Sequence, residues 1–193
     1  MKIIKISIII GLAILTGLII VSCERDDICA EATQTTPALS VEFRDVINDD
    51  DLKSVRRLRV IAIDENQNAI DTLSLENADP SAVILPLLIG PENTNDNVEN
   101  IITTRYILEE NSDLADDDDE ETSSNIVILE ISYTNEFVYV SRACGFKSIF
   151  RLQPTTGARI LPADDEDDQW AVRTVIENEL IENENEAKVL ILH

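Results

Sequence analysis

Asn125-Ile-Val-Ile-Leu-Glu-Ile-Ser-Tyr133, with Thr-Asn-Glu136 and Phe137-Val-Tyr-Val-Ser141 directly after it, is the stretch that decides the fold. Val127, Leu129, Ile131 and Tyr133 alternate with Ile128, Glu130 and Ser132. A period of two sends successive side chains to opposite faces, as in a strand with one face in a core. Thr134 to Glu136 read as a turn that sends Phe137–Ser141 back as a second strand. Phe146, Ser148, Phe150 and Leu152 then alternate with Lys147, Ile149 and Arg151 in a third run.

The same spacing recurs on both sides. Upstream, Leu39, Val41 and Phe43 alternate with Ser40, Glu42 and Arg44, and Leu58, Val60 and Ala62 follow after an Asn/Asp-rich turn over 46–54. Asp64 to Asn68 turn the chain into Leu73 and Leu75, which makes a hairpin. Val83, Leu85 and Leu87 come next, and Pro86 bars this run from a central position because it lacks an amide donor. Residues 101–109 carry a strand-like mix of Ile, Thr, Tyr and Leu. Downstream, Trp170–Ile176 and Lys188–Leu192 complete the set, with Asn183–Glu186 as a turn. No stretch sustains an amphipathic helix, and 177–187 is ambiguous on propensity alone. Eight or nine short strands imply an all-β, antiparallel β-sandwich, Ig-like in outline, with the strand order left open. Only five glycines occur, so polar loops rather than tight primed hairpins are expected.

The first twenty-three residues have a different character. Lys2 and Lys5 precede an apolar run from Ile6 to Val21, which ends on Ser22 and Cys23. A basic head, an apolar middle and a small residue at the cut site describe an export signal. The run is shorter than the roughly 20 residues a spanning helix needs. Ile20-Val21-Ser22-Cys23 resembles a bacterial lipobox, in which the cysteine sulfur takes diacylglycerol and the bond between Ser22 and Cys23 is cut. A retained anchor is the alternative. The expected organisation is a signal helix over 1–22, a polar tether over 23–36 and one sandwich over 37–193 with an acidic loop at 111–124.

Removing residues 1–22 takes away two lysines and no acid, which leaves 13 basic against 38 acidic residues, a net charge of −25. Such a surface repels nucleic acid and anionic headgroups, so neither is bound through charge. With Cys23 lipidated, Cys29 and Cys144 remain as an even pair in an oxidising compartment, and a disulfide is the natural reading. The alternative is two separate thiols. Gly145 beside the second cysteine marks a bulge or a close backbone approach.

With these residues in view, the chain resembles a family of small Bacteroidetes lipoproteins of unknown function. Cys23 with Asp27-Ile28-Cys29, Thr35-Thr-Pro-Ala-Leu39 leading into Val41 and Phe43, Lys53-Ser-Val55 and Arg142-Ala-Cys-Gly-Phe146 carry the likeness. The cluster Glu24-Arg-Asp-Asp27 is similar to the surface-export signals of such proteins, or is an ordinary charged spacer. The resemblance implies an envelope lipoprotein, acylated with palmitate among its fatty chains, and supplies no catalytic residue.

Three acidic tracts invite a calcium reading: Asn48–Asp51, Asp113–Glu121 and Asp164–Asp168. None spaces its carboxylates at alternate positions around a central glycine, and contiguous acids normally stay solvated. The one histidine, His193, removes paired-His zinc sites and leaves triad chemistry only a terminal residue. No G-x-S-x-G, phosphate-cradling loop or H-E-x-x-H occurs. Trp170, near Val172 and Ile176, is assigned to the core rather than to a sugar platform. The expectation is therefore a noncatalytic, cofactor-free module with no metal site. It is held by its lipid at the outer membrane, on the periplasmic face or at the cell surface, and takes an envelope protein as partner. A calcium- or glycan-binding module built on the acidic loops is the alternative, and a hydrolase with a carboxylate pair stands behind both.

Overall fold

The computed structural model describes residues 29, 36–75, 78–91, 100–114, 123–163, 169–185 and 188–193. The expected signal helix over 1–22 lies outside them, as do most of the acidic loop 111–124 and the tract 164–168. By its internal contacts the chain divides into two units, Gln34–Val138 with Lys147–His193 and Met1–Thr33 with Tyr139–Phe146.

The larger unit is an all-β sandwich. Its strands in chain order are β1 (Leu39–Arg44), β2 (Arg59–Ile63), β3 (Ala69–Leu73), β4 (Ala82–Leu85), β5 (Ile102–Glu110), β6 (Asn125–Ser141), β7 (Gly145–Leu152), β8 (Ala158–Pro162), β9 (Arg173–Ile176), β10 (Leu180–Ile181) and β11 (Val189–Leu192). The ends of β6 and β7 run into the smaller unit. One sheet has the order β4-β1-β11-β9. The other has the order β10-β7-β6-β5-β2-β3, with β8 also paired to β6. Strands β1 and β11 run parallel, Val41 beside Val189 and Phe43 beside Ile191. The other described registers are antiparallel.

Alternation dictates what meets in the core. Leu39, Val41 and Phe43 of β1, Val189 and Ile191 of β11, Tyr106 and Leu108 of β5, and Val127, Leu129, Ile131 and Tyr133 of β6 form one buried cluster. Truncating one such side chain to Ala costs about 2–5 kcal/mol. Pro86 falls just past β4, an edge strand, as its missing donor requires. Its carbonyl accepts the Tyr106 hydroxyl, and Leu88 O accepts the Tyr133 hydroxyl at 2.9 Å. Two buried phenols thus tie the segment after β4 to the second sheet.

The sequence reading needs three local corrections. Thr134–Glu136 are not a turn, because β6 continues unbroken to Ser141 and the chain reverses over 142–144. Asn135 sits on the core-facing parity and is buried, so its polarity did not break the strand. Eleven strands are present among the described residues rather than eight or nine. β8 starts straight after Gly157, and β10 is two residues long, too short to show a period. Gly145 does not mark a close backbone approach. It takes φ 69° where the hairpin re-enters β7, and an added Cβ would meet nothing within 4 Å.

Candidate functional site

Three surfaces carry polar or aromatic groups that a folded core does not need. The first is on the outer face of the four-stranded sheet. Strand alternation points Glu42 and Arg44 away from the core, and the turn after β1 brings Asp49 and Asp50 beside them. With Glu177 and the floor residue Leu190 they line a shallow cleft of about 560 Å³. Arg44 is already committed there. Its Nε donates to Glu42 Oε2 at 2.9 Å and its NH1 group to Asp50 O at 2.7 Å. Four acids against one paired base leave the cleft acidic, suited to a cationic or hydrogen-bond-donating surface.

The turn behind that cleft is built by Asp45, whose Oδ1 accepts the amides of Ile47 and Asn48 at 2.7 and 3.1 Å. Those amides hold its carboxyl below the usual range. Asn48 and Asp51 bond to each other, Nδ2 to Oδ2 at 2.7 Å. The tract 48–51 therefore spends part of its polarity on its own turn. Asp113 at the start of the second tract pairs with Arg56 at 2.8 Å, which keeps its carboxyl low. Among the described residues no group of three or more His, Cys, Asp or Glu is placed to hold a metal ion.

The second surface is the outer face of the larger sheet. Ile61, Ile107, Ile128 and Leu161 lie in one row across β2, β5, β6 and β8. The neighbouring row is Arg105, Glu130 and Arg159. Glu130 is only 5% exposed, and both guanidiniums bond to its carboxylate, Arg105 Nε at 2.8 Å. Glu109, also buried, pairs with Arg59 across the β2–β5 register. Nothing in the sequence alternation distinguished these buried carboxylates from ordinary solvent-facing ones.

The third surface is the smaller unit. Cys29 and Cys144 are joined, with S–S 2.05 Å and Cα–Cα 4.9 Å. The Cys144 amide donates to Ser141 Oγ at 3.0 Å, which shapes the reversal. Tyr139 and Phe146 meet edge to face with centroids 5.4 Å apart, yet are 55% and 67% exposed. Aromatic area of this kind in the open, beside a covalent staple, is the least expected feature of the surface.

Ser22 and Cys23 lie outside the described residues. Trp170 packs against the core and stands 6.1 Å from Phe43 and 5.4 Å from His193 between ring centroids. His193 is buried in that group, and burial pulls its pKa down. A catalytic carboxyl with a raised pKa is expected beside a second carboxylate. Burial raises Glu110, but the charges acting on it belong to Lys53 and Arg56. In comparisons with known proteins, no family model, no curated protein and no solved structure matches the chain.

Proposed function

We propose that the chain is a lipid-anchored lipoprotein of the cell envelope, acylated at Cys23 after cleavage behind Ser22, and that its sandwich is a noncatalytic protein-binding module at the outer membrane. The observation that carries this reading is the N-terminal order of Lys2, Lys5, the apolar run and Ser22-Cys23. The Cys29–Cys144 bridge supports it, since disulfides persist in oxidising compartments. The likeness to small Bacteroidetes lipoproteins of unknown function belongs to the same proposal. The acidic cleft around Glu42 and Glu177 favours a partner that offers basic or donor groups.

Replacing Cys23 with Ser tests the anchor. The expected result is an uncleaved precursor without acyl mass, whereas cleavage at the same bond with continued lipid attachment would refute it. Crosslinking in intact cells tests the module, and an envelope protein joined through residues of the cleft is the expected product. The acidic tracts leave a second reading, a calcium-binding surface module, although among the described residues no three candidate ligands are placed together for a metal ion. A melting temperature unmoved by millimolar calcium discards that reading, because any real ligand stabilises by mass action.

A further inference from the structure

We infer that the disulfide-stapled hairpin tip is a second membrane contact, with Tyr139 and Phe146 seated in the headgroup layer of a lipid bilayer. This rests on the lipoprotein reading above. Cys29 lies six positions after Cys23 in the sequence. A fully extended chain advances at most about 3.6 Å per residue, so an acylated Cys23 holds Cys29 within about 22 Å of the bilayer surface. Cys29 is bonded to Cys144. The bond therefore confines the tip itself to that distance, whichever way the rest of the chain faces.

What the tip presents suits that layer. Tyr and other amphipathic aromatics concentrate at membrane–water interfaces, where an apolar ring and a polar edge are both satisfied. Tyr139 supplies the polar edge and Phe146 a purely apolar ring, both more than half exposed and in contact with each other. Charge is the obstacle to consider in a chain this acidic. From Phe137 to Lys147 there is no Asp or Glu, while Arg142 and Lys147 occur. Beyond roughly 8 Å at physiological salt, exposed charges elsewhere are largely screened, so the local composition governs whether the tip can approach. The tether does carry Glu24, Asp26 and Asp27 against Arg25. The attraction is therefore assigned to the rings and not to anionic lipid, and zwitterionic phosphatidylcholine suffices.

The test uses the full acylated protein purified from membranes and bound to phosphatidylcholine vesicles, with and without brominated chains. Phe146→Trp adds one indole at the tip, and native Trp170, packed against the core, supplies the background signal of the unsubstituted protein. The expected result is blue-shifted emission from the added indole and about twofold or greater quenching by brominated lipid, with Trp170 unaffected. Tyr139→Trp repeats the measurement at the neighbouring position, and intact mass confirms that the disulfide remains in each variant. Acylated, vesicle-bound protein whose added indole is quenched no more than Trp170 overturns the contact and leaves the anchor standing. Protein without acyl mass at Cys23 overturns both.

Discussion

Arg105 on β5 stands directly opposite Glu130 on β6, and its Nε donates to Glu130 Oε2 at 2.8 Å. Arg159 on β8 reaches the other carboxylate oxygen from the opposite side. A carboxylate clasped between guanidiniums of two flanking strands fixes the register of three strands at one row. Charge-assisted hydrogen bonds of this kind are stronger than neutral ones.

Glu130→Ala is expected to destabilise by about 1–3 kcal/mol, since it leaves two guanidiniums without their shared acceptor. Burial raises the Glu130 carboxyl, but the bonds from Arg159 and Arg105 outweigh it, and the net shift is downward. A carboxyl whose folded pKa is depressed stabilises fully above its unfolded value of about 4.3, and that contribution is lost as pH falls through the folded value. Chemical denaturation from pH 7 to pH 3 should therefore show a shallower acid decline for Glu130→Gln than for the unsubstituted protein. An identical decline in both would refute the assignment.

The two buried phenols set the alkaline limit. Burial raises the pKa of Tyr106, with Tyr133 nearby adding to it, and burial raises Tyr133 against the opposing bonds from Thr104 and Leu88. A raised tyrosine is stabilising below its unfolded pKa of about 10, and the contribution drains away as pH rises above that. Spectrophotometric titration should show two of the three tyrosines ionising only as the fold opens. Tyr133→Phe should cost about 1–2 kcal/mol by orphaning Leu88 O, and amide exchange in 87–90 should quicken with it.

Two glycines make opposite demands. A Cβ at Gly157 would lie 2.4 Å from Gln153 O, which is backbone and cannot step aside. Gly157→Ala should cost about 2–3 kcal/mol or prevent folding. At Gly145 there is ample room, and only the positive φ opposes a side chain. Gly145→Ala should cost about 1–2 kcal/mol, and Gly145→Asn less than that, as measured by urea unfolding.

The bridge closes a segment with a sequence separation of 115 residues. The chain-entropy account assigns such a closure about 4–5 kcal/mol. Reduction, or Cys144→Ser, should lower the urea midpoint accordingly, and alkylation under denaturing conditions should label neither Cys29 nor Cys144 until a reductant is added. Labelling of both without reductant would remove the bridge from the account.

Much of the sandwich was legible because its signal is local. Leu39-Val41-Phe43, Val127 to Tyr133 and Ser148-Phe150-Leu152 each announce one buried face, and Pro86 marks an edge. The strand continuing past Thr134 was legible in principle, since Val127, Leu129, Ile131, Tyr133, Asn135, Phe137 and Tyr139 keep one parity throughout. Three consecutive polar residues masked it. The burial of Glu130 was not legible, because a carboxylate on the wet face of a strand looks the same whether or not arginines from β5 and β8 close over it. Nor was the exposed Tyr139–Phe146 pair, whose spacing matches that of core aromatics such as Tyr133 and Phe150. Pairing of β1 with β11 leaves no local trace at all.

That last pairing governs when the molecule can exist. β1 lies hydrogen-bonded between β4 and β11, so a strand made early waits for nearly the whole chain before its sheet closes. Contacts so distant in sequence form slowly. Until Val189–Leu192 arrive, β1 lacks one of its two neighbours, and this four-stranded layer cannot close.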